Sequence, residues 1–216
     1  MKKLLFILPL CLTVIELAAQ NLSIGLIGGV GHSWTSVDRV TTSDTRLHGT
    51  YNIGGRLVYS FESNWGISGD VKFSSEGQTV GTSNKNKTAY RANYIRIPLQ
   101  GIYFFGKFGD RVRPKVSLGP SFGILVGGKI KTFANGDKIA SVKTKDYWKS
   151  FDYGVTLAAG GNVRIAPATW LNLDLSYYHG LADVTEVGPD GSNRNIGVNV
   201  GVTFPLATLR PEKIQR

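Results

Sequence analysis

Thiols, histidines and long apolar runs are nearly absent from this chain. One cysteine (Cys11), one methionine and three histidines stand among 216 residues. A lone thiol excludes an internal disulfide framework and any multi-cysteine metal site. The three histidines, His32, His48 and His179, form no His-x-His or Glu-x-x-His spacing, and no carboxylate-rich calcium loop accompanies them. No metal or other cofactor is therefore expected. Beyond the first twenty residues, no stretch reaches the roughly 18 consecutive apolar residues of a membrane-spanning helix. The glycine-rich stretches lack the Gly-Lys-Ser/Thr of a phosphate-cradling loop. Acidic residues are also scarce, 15 against 25 Lys and Arg, for a net charge of +10. Such an excess suits nucleic acid or anionic head groups.

The N-terminus decides between those partners. Lys2 and Lys3 precede an apolar run over 4–17, interrupted by Pro9, and Ala18-Ala19-Gln20 follows. This pattern predicts a secretory signal over 1–19, cut after Ala19. Cys11 lies inside it, so the exported chain is expected to hold no thiol. Export removes nucleic acid as a partner and leaves outer-membrane lipid and lipopolysaccharide.

What the chain does have is glycine, 27 residues, and 11% aromatics, arranged at strand spacing. In 171–178, Leu171, Leu173, Leu175 and Tyr177 alternate with Asn172, Asp174, Ser176 and Tyr178. A helix scatters these leucines around its axis, whereas a strand gathers them on one side. The same period recurs in eight segments, near 21–34, 48–61, 66–75, 90–105, 112–126, 150–165, 170–179 and 195–204. Most reach the roughly 9–11 residues that cross a bilayer at a tilt. The connectors alternate between tight ones (62–65, 106–111, 166–169) and long polar ones (35–47, 76–89, 127–149, 180–194). The expected fold is all-β: an eight-stranded antiparallel up-and-down transmembrane β-barrel over 20–204, followed by a polar C-terminal tail over 205–216. Its place is the outer membrane of a Gram-negative bacterium. A soluble ligand-binding β-barrel has the same alternation with its faces exchanged.

The cost of a charge facing lipid at mid-bilayer, roughly 2–4 kcal/mol for Arg or Lys, assigns the faces. Apolar positions turn outward, and Arg56, Asp70, Lys72, Arg96, Lys115, Asp152 and Asp174 turn into the lumen. Their mixed signs permit an internal ion-pair network. Thirteen aromatic residues near strand ends, including Trp34, Tyr51, Trp65, Phe104, Trp148, Trp170 and Tyr178, suggest two interfacial girdles. Pro98, Pro114 and Pro120 lack a ladder N–H and predict irregular pairing. The Gly154–Gly161 run offers room for a large lumen side chain. Ser33, Ser36, Asp38, Asp44 and Asp183 lie near the histidines in sequence, but no motif fixes a catalytic geometry, and no catalytic activity is expected. The loop around 127–149 is lysine-rich, and Lys129, Lys131 and Lys143 are candidate contacts to lipopolysaccharide or a partner.

Several segments resemble the PorT-like family of outer-membrane barrels. Tyr94-Ile95-Arg96-Ile97-Pro98-Leu99 is similar to that family's Tyr-x-x-Ile-Pro-Leu strand. Arg113-Pro114-Lys115-Val116-Ser117-Leu118-Gly119-Pro120 resembles its strand bounded by Arg-Pro and Gly-Pro. Asp152-Tyr153-Gly154 with Ala159-Gly160-Gly161, 173–181 and Arg194-Asn195-Ile196-Gly197 resemble the strands that follow. The resemblance implies an exported integral barrel, and it brings in a role in a protein-secretion or envelope-assembly machine as an alternative. From the residues themselves the expectation is a monomeric barrel with a structural or surface-interaction role, a narrow pore being the remaining alternative.

Overall fold

The computed structural model describes residues 21–37, 45–107, 109–167 and 169–206. The expected signal over 1–19, Asp38 and Asp44, and the tail from 207 onward lie outside the described residues. The elements are β1 (Leu22–Val37), β2 (Thr45–Arg46), β3 (Gly49–Ser60), β4 (Trp65–Val80), β5 (Lys87–Phe104), β6 (Val112–Ala134), β7 (Asp137–Lys143), β8 (Phe151–Ala166), β9 (Thr169–Gly180) and β10 (Gly191–Pro205). Eight of them close a ring, β1-β3-β4-β5-β6-β8-β9-β10 and back to β1, with every neighbour antiparallel. The short β2 extends the pairing along β4, and β7 folds back on β6. Closure removes the free edges that an open sheet exposes.

Alternation builds the wall. Leu26, Val30, Ile53, Leu57, Ile67, Val71, Leu118, Ile124, Leu157, Leu175 and Val198 all lie exposed on its outside. The residues between them point inward, where Arg56, Asp70, Asn172 and Asp174 are buried. Such a surface is tolerated against hydrocarbon and not against water, which rules out the soluble barrel. Aromatic pairs mark both ends of the apolar band. Tyr59–Phe61 and Trp65–Tyr103–Phe105 sit at the tight-turn end. Tyr51–Phe73, Phe122–Phe151–Tyr153 and Trp34–Tyr177 sit at the other. Four expected girdle members are instead inside: Phe104 and Tyr178 project into the lumen, Trp170 shares their inward face at the tight-turn end, and Trp148 is buried beneath loops.

Two segments expected as loops are strand. β4 runs to Val80 and β5 starts at Lys87, so 76–89 is a tall hairpin with a turn at 81–86. β6 continues to Ala134, and Asn135 (φ 54°) with Gly136 (φ 97°) turns it directly into β7. Both central residues at positive φ make the two-residue turn that suits strand twist, and Asn-Gly is its strongest sequence signal. These arms stand above the apolar band, where polar and apolar residues share both faces and period two in hydrophobicity no longer reports a strand. The prolines shift no register. The β4–β5 ladder lapses between Gly69↔Leu99 and Lys72↔Arg96, beside Pro98. The β5–β6 ladder lapses between Pro98↔Ser121 and Gly101↔Leu118, beside Pro120. The register shifts fall elsewhere, at Asn93/Tyr94, Thr132/Phe133 and Arg164/Ala166.

Candidate functional site

The lumen is stacked in four tiers. At the tight-turn end Val58, Ile102 and Phe104 form an apolar floor, with the Arg113 guanidinium 4.3 Å over the Phe104 ring. Above it lies a charged tier. Arg56 grips Asp70 with two parallel hydrogen bonds, Nε to Oδ1 at 2.8 Å and Nη2 to Oδ2 at 2.9 Å. Its Nη1 donates to Asp174 Oδ2 at 2.8 Å, and Lys115 Nζ lies 3.0 Å from the other Asp174 oxygen.

The third tier is centred on Arg96. It donates from Nε and Nη2 to Glu76 (2.8 and 2.6 Å) and from Nη2 to Asp152 (2.6 Å). Asp152 also accepts from the Tyr178 hydroxyl at 3.0 Å and from Asn193 Nδ2 at 2.9 Å. Ser74 donates to Glu76 at 2.7 Å. The Arg96 guanidinium stacks on Tyr178 (4.1 Å) and Tyr94 (4.7 Å). Charge-assisted bidentate bonds of this kind are the strong ones, and every carboxylate in the two tiers is nearly fully buried.

Two glycines let these side chains reach across the wall. Arg96 on β5, Gly123 on β6 and Asp152 on β8 are successive cross-strand partners in one row. A Cβ on Gly123 would meet Arg96 Nη1 at 2.8 Å, so the missing side chain is the path Arg96 takes to Asp152. Lys115 on β6, Gly160 on β8 and Asp174 on β9 repeat the arrangement, and a Cβ on Gly160 would sit 2.7 Å from Asp174 Oδ1.

All seven residues assigned to the lumen from sequence project inward. Six join the ion pairs just described. Lys72 makes no ion pair within 4.0 Å among the described residues, but it lines the small central cavity with Glu76 and Arg96. Sequence reasoning missed Glu76 by ending the strand at residue 75. The signal was present: Asp70, Lys72, Ser74 and Glu76 continue one face. The seven residues also carry one positive charge too many, and a buried cation calls for a carboxylate partner.

The fourth tier is a cap. Ala92, Tyr94, Leu125, Trp148 and Val184 cluster with little or no exposure, bringing the 144–150 and 181–190 segments over the lumen. Lys149 N–H donates to Val184 O at 2.9 Å, Glu186 N–H donates to Tyr147 O at 3.0 Å, and the Lys149 ammonium binds Asp183. That hydrogen bond holds Lys149 above its usual range. Burial pushes the Asp183 carboxyl up, but bonds from Lys149 and from the N–H groups of Gly191 and Thr185 outweigh it and leave it below the usual carboxylate range.

Among the described residues the histidines make their hydrogen bonds to groups other than Ser and Asp side chains. His32 Nδ1 accepts from His48 N–H at 3.0 Å, His48 Nδ1 meets the Thr79 hydroxyl at 2.9 Å, and His179 lies 3.3 Å from the Tyr177 hydroxyl. Ser33 instead donates to Gly77 O at 2.7 Å. Among the described residues no group of three His, Cys, Asp or Glu side chains is placed to hold a metal ion. The lysines Lys129 and Lys143 are brought together as cross-strand partners on β6 and β7, with Lys131 one outward position further along β6.

Two predictions follow from these contacts. Gly123→Val should destabilise the barrel by about 1–3 kcal/mol by displacing Arg96. Gly55→Ala, whose Cβ meets nothing closer than 3.9 Å, should be near neutral. The temperature at which the folded, fast-migrating band is lost on gels compares them. The Lys149–Asp183 clip should be complete between the usual carboxylate and ammonium ranges, roughly pH 4 to 10. It should fail as pH falls through the lowered Asp183 value or rises through the raised Lys149 value. Exchange protection factors of the Thr185 and Gly191 amides should therefore be flat from pH 5 to 9 and drop in acid, and Asp183→Asn should lower them throughout.

No curated protein matches the chain in sequence. Among solved structures, the Neisserial surface protein A superposes with a TM-score of 0.52 at 12% identity, covering 84% of this chain and 96% of that one. OprG of Pseudomonas aeruginosa also gives 0.52, at 14% identity, covering 85% and 94%. At such identity the likeness shows the fold alone. Residues 18–186 match the model of the outer membrane protein beta-barrel domain. With most of its length in that match, and with a closed eight-strand wall apolar on its outside, the chain belongs to the outer membrane protein beta-barrel domain family and resides in the outer membrane of a Gram-negative bacterium.

Proposed function

We propose that the protein is a monomeric, non-catalytic barrel whose work is structural and interactive: a sealed wall that holds shaped, charged extensions at the cell surface. The observation that carries this is the filled lumen. Two buried charged tiers lie between an apolar floor and an apolar cap, and the cavity between them measures only about 40 Å³. An eight-strand lumen is just wide enough for side chains to fill, and here their hydrogen bonds lock them in place. The lumen charges then act as structure, not as a conduit. The long connectors belong to the exterior and the tight ones to the periplasm, so the β4–β5 and β6–β7 arms, with the docked cap, form the outer surface.

A second reading is a PorT-like part of a protein-secretion or envelope-assembly machine. It is favoured by a hollow of about 230 Å³ at the periplasmic end, lined by Arg113, Arg164 and Trp170 and by Pro205, where the chain leaves the wall. Such a hollow can receive an acidic or aromatic segment of a periplasmic partner.

The two readings part experimentally. Purified barrel in planar bilayers should add no discrete conductance steps above the bare membrane, and regular steps would count against the sealed wall. Deletion of residues 206–216 should leave the set of copurifying proteins unchanged if the outer arms carry the function. Loss of a partner from an intact barrel would favour the machine component.

A further inference from the structure

The outward face of the β5–β6–β7 extension carries a row of like charges that pairs with no carboxylate among the described residues. Arg91 on β5 is the cross-strand partner of Lys129 on β6, and Lys129 is the partner of Lys143 on β7. In the next rows Ala89 faces Lys131, and Lys87 faces Phe133. Direct cross-strand partners share a face with Cβ atoms about 4.5–5.5 Å apart, and like charges so placed repel. Among the described residues, no carboxylate lies within 4.0 Å of any of these five cations. The row is costly unless an anion sits on it.

Its position says which anion. On β5 the outward face runs Leu99, Ile97, Ile95, Asn93, Arg91, and so changes from apolar to basic within four residues of Ile95. On β6 the outward face runs Phe122, Ile124, Val126. One extra residue opposite Asn93/Tyr94 then moves the outward positions to Lys129 and Lys131. Ile95 pairs with Phe73 of the upper girdle. Four residues beyond it, at about 3.3 Å each along a tilted strand, reach the level of the head groups.

The face is also concave there. A groove of about 560 Å³ is lined by Lys87, Arg91, Lys129 and Lys131 together with Leu47, Ala89 and Phe133, and no acidic side chain lines it. Leu47 is 81% exposed. The Arg91 guanidinium is held by donating to the Ser75 hydroxyl at 3.0 Å, so it is aimed before any ligand arrives. Cations beside apolar side chains, at the edge of a hydrocarbon-facing wall, match an amphiphile with phosphate on its head.

We propose that this groove binds the phosphate groups of an outer-leaflet glycolipid, with Arg91, Lys129, Lys131 and Lys143 on the phosphates and Leu47 and Phe133 against the adjoining chain. The proposal rests on the surface role proposed above and names its ligand. Of these cations, Arg91 carries no loop signal in the sequence; it sits in what reads as wall strand.

The test uses protein purified from outer membranes and placed in phosphatidylcholine nanodiscs with either bisphosphorylated lipid A or its dephosphorylated form. Retained lipid is counted by native mass spectrometry. The wild type should prefer the phosphorylated lipid by at least about tenfold, given several cations near one surface. K129R/K131R/K143R should keep that preference, and R91Q/K129Q/K131Q/K143Q should lose it. Equal retention of both lipids by the wild type, or an undiminished preference in the glutamine variant, overturns the site. If the glutamine variant does not fold, Lys143→Glu, on the fully exposed β7, takes its place under the same criteria. Release of the lipid by millimolar inorganic phosphate would show a free-anion site and overturn the lipid assignment. Heat-modifiable migration is read on the same samples. Its absence would undo the barrel's surface role itself, whereas an intact barrel without phosphate preference undoes only the lipid site.

Discussion

Charge neutrality inside a narrow closed wall is the constraint on which the rest of this structure depends. Eight strands enclose a lumen too small to hydrate isolated ions, and removing one partner from a buried pair typically costs about 3–5 kcal/mol. Three cations, Arg56, Arg96 and Lys115, pair with four carboxylates, Asp70, Glu76, Asp152 and Asp174, and a fourth, Lys72, lines the cavity beside them. The pairing then dictates the wall. Arg96 and Lys115 each reach a carboxylate two strands away, and the strand between must present a glycine, Gly123 in one case and Gly160 in the other. Tyr94 and Tyr178 face inward because a guanidinium stacked between rings still needs its flanks filled. A charged tier also needs water kept from either end, which the Phe104 floor and the Trp148–Val184 cap supply.

The cap ties the lumen to the exterior. Trp148 and Val184 come from two different connectors, and each is placed by backbone hydrogen bonds between those connectors and by the Lys149–Asp183 clip. Surface loops of a barrel are ordinarily its most mobile parts. Here their apolar side chains are drawn into the same cluster as Ala92, Tyr94 and Leu125 of the wall. The outer surface is accordingly a shaped one, and the arms built from β4–β5 and β6–β7 extend it as sheet, with backbone groups satisfied along the ladders.

Much of this architecture is legible in the sequence because the membrane imposes period two on hydrophobicity. The eight wall strands, the antiparallel order and the inward set of charges all follow from it. Legibility ends where the membrane does. Above the apolar band polar and apolar residues share both faces, so the pattern ends β4 before Glu76 and gives the Asn135-Gly136 hairpin as solvated loop. Inside the wall the difficulty is the opposite one. Val58, Ile102 and Phe104 are apolar residues on the inward face, and alternation alone does not mark a floor. Tyr178 and Trp148 looked like interfacial anchors because aromatics near strand ends serve girdle and lumen alike, and only the face they share with Asp152 or Val184 separates the two.

The same electrostatics that pair the interior charges bear on where the chain's excess charge lies. Within the two charged tiers the four cations and four carboxylates cancel, and Arg113 lies below them over the Phe104 floor, so the net +10 of the sequence belongs to residues outside those tiers. Charge in the two tiers is held to zero by the energetics of burial; exposed charge is under no such control, and stability does not call for it. On the wall's outward face the excess is concentrated where the hydrocarbon-facing residues stop, in strand positions whose cross-strand neighbours are also cations. Folding alone selects against that juxtaposition. On the proposed reading, a barrel whose charged tiers fill its lumen and whose like charges collect beyond the apolar band is organised around what lies beside and above it in the membrane.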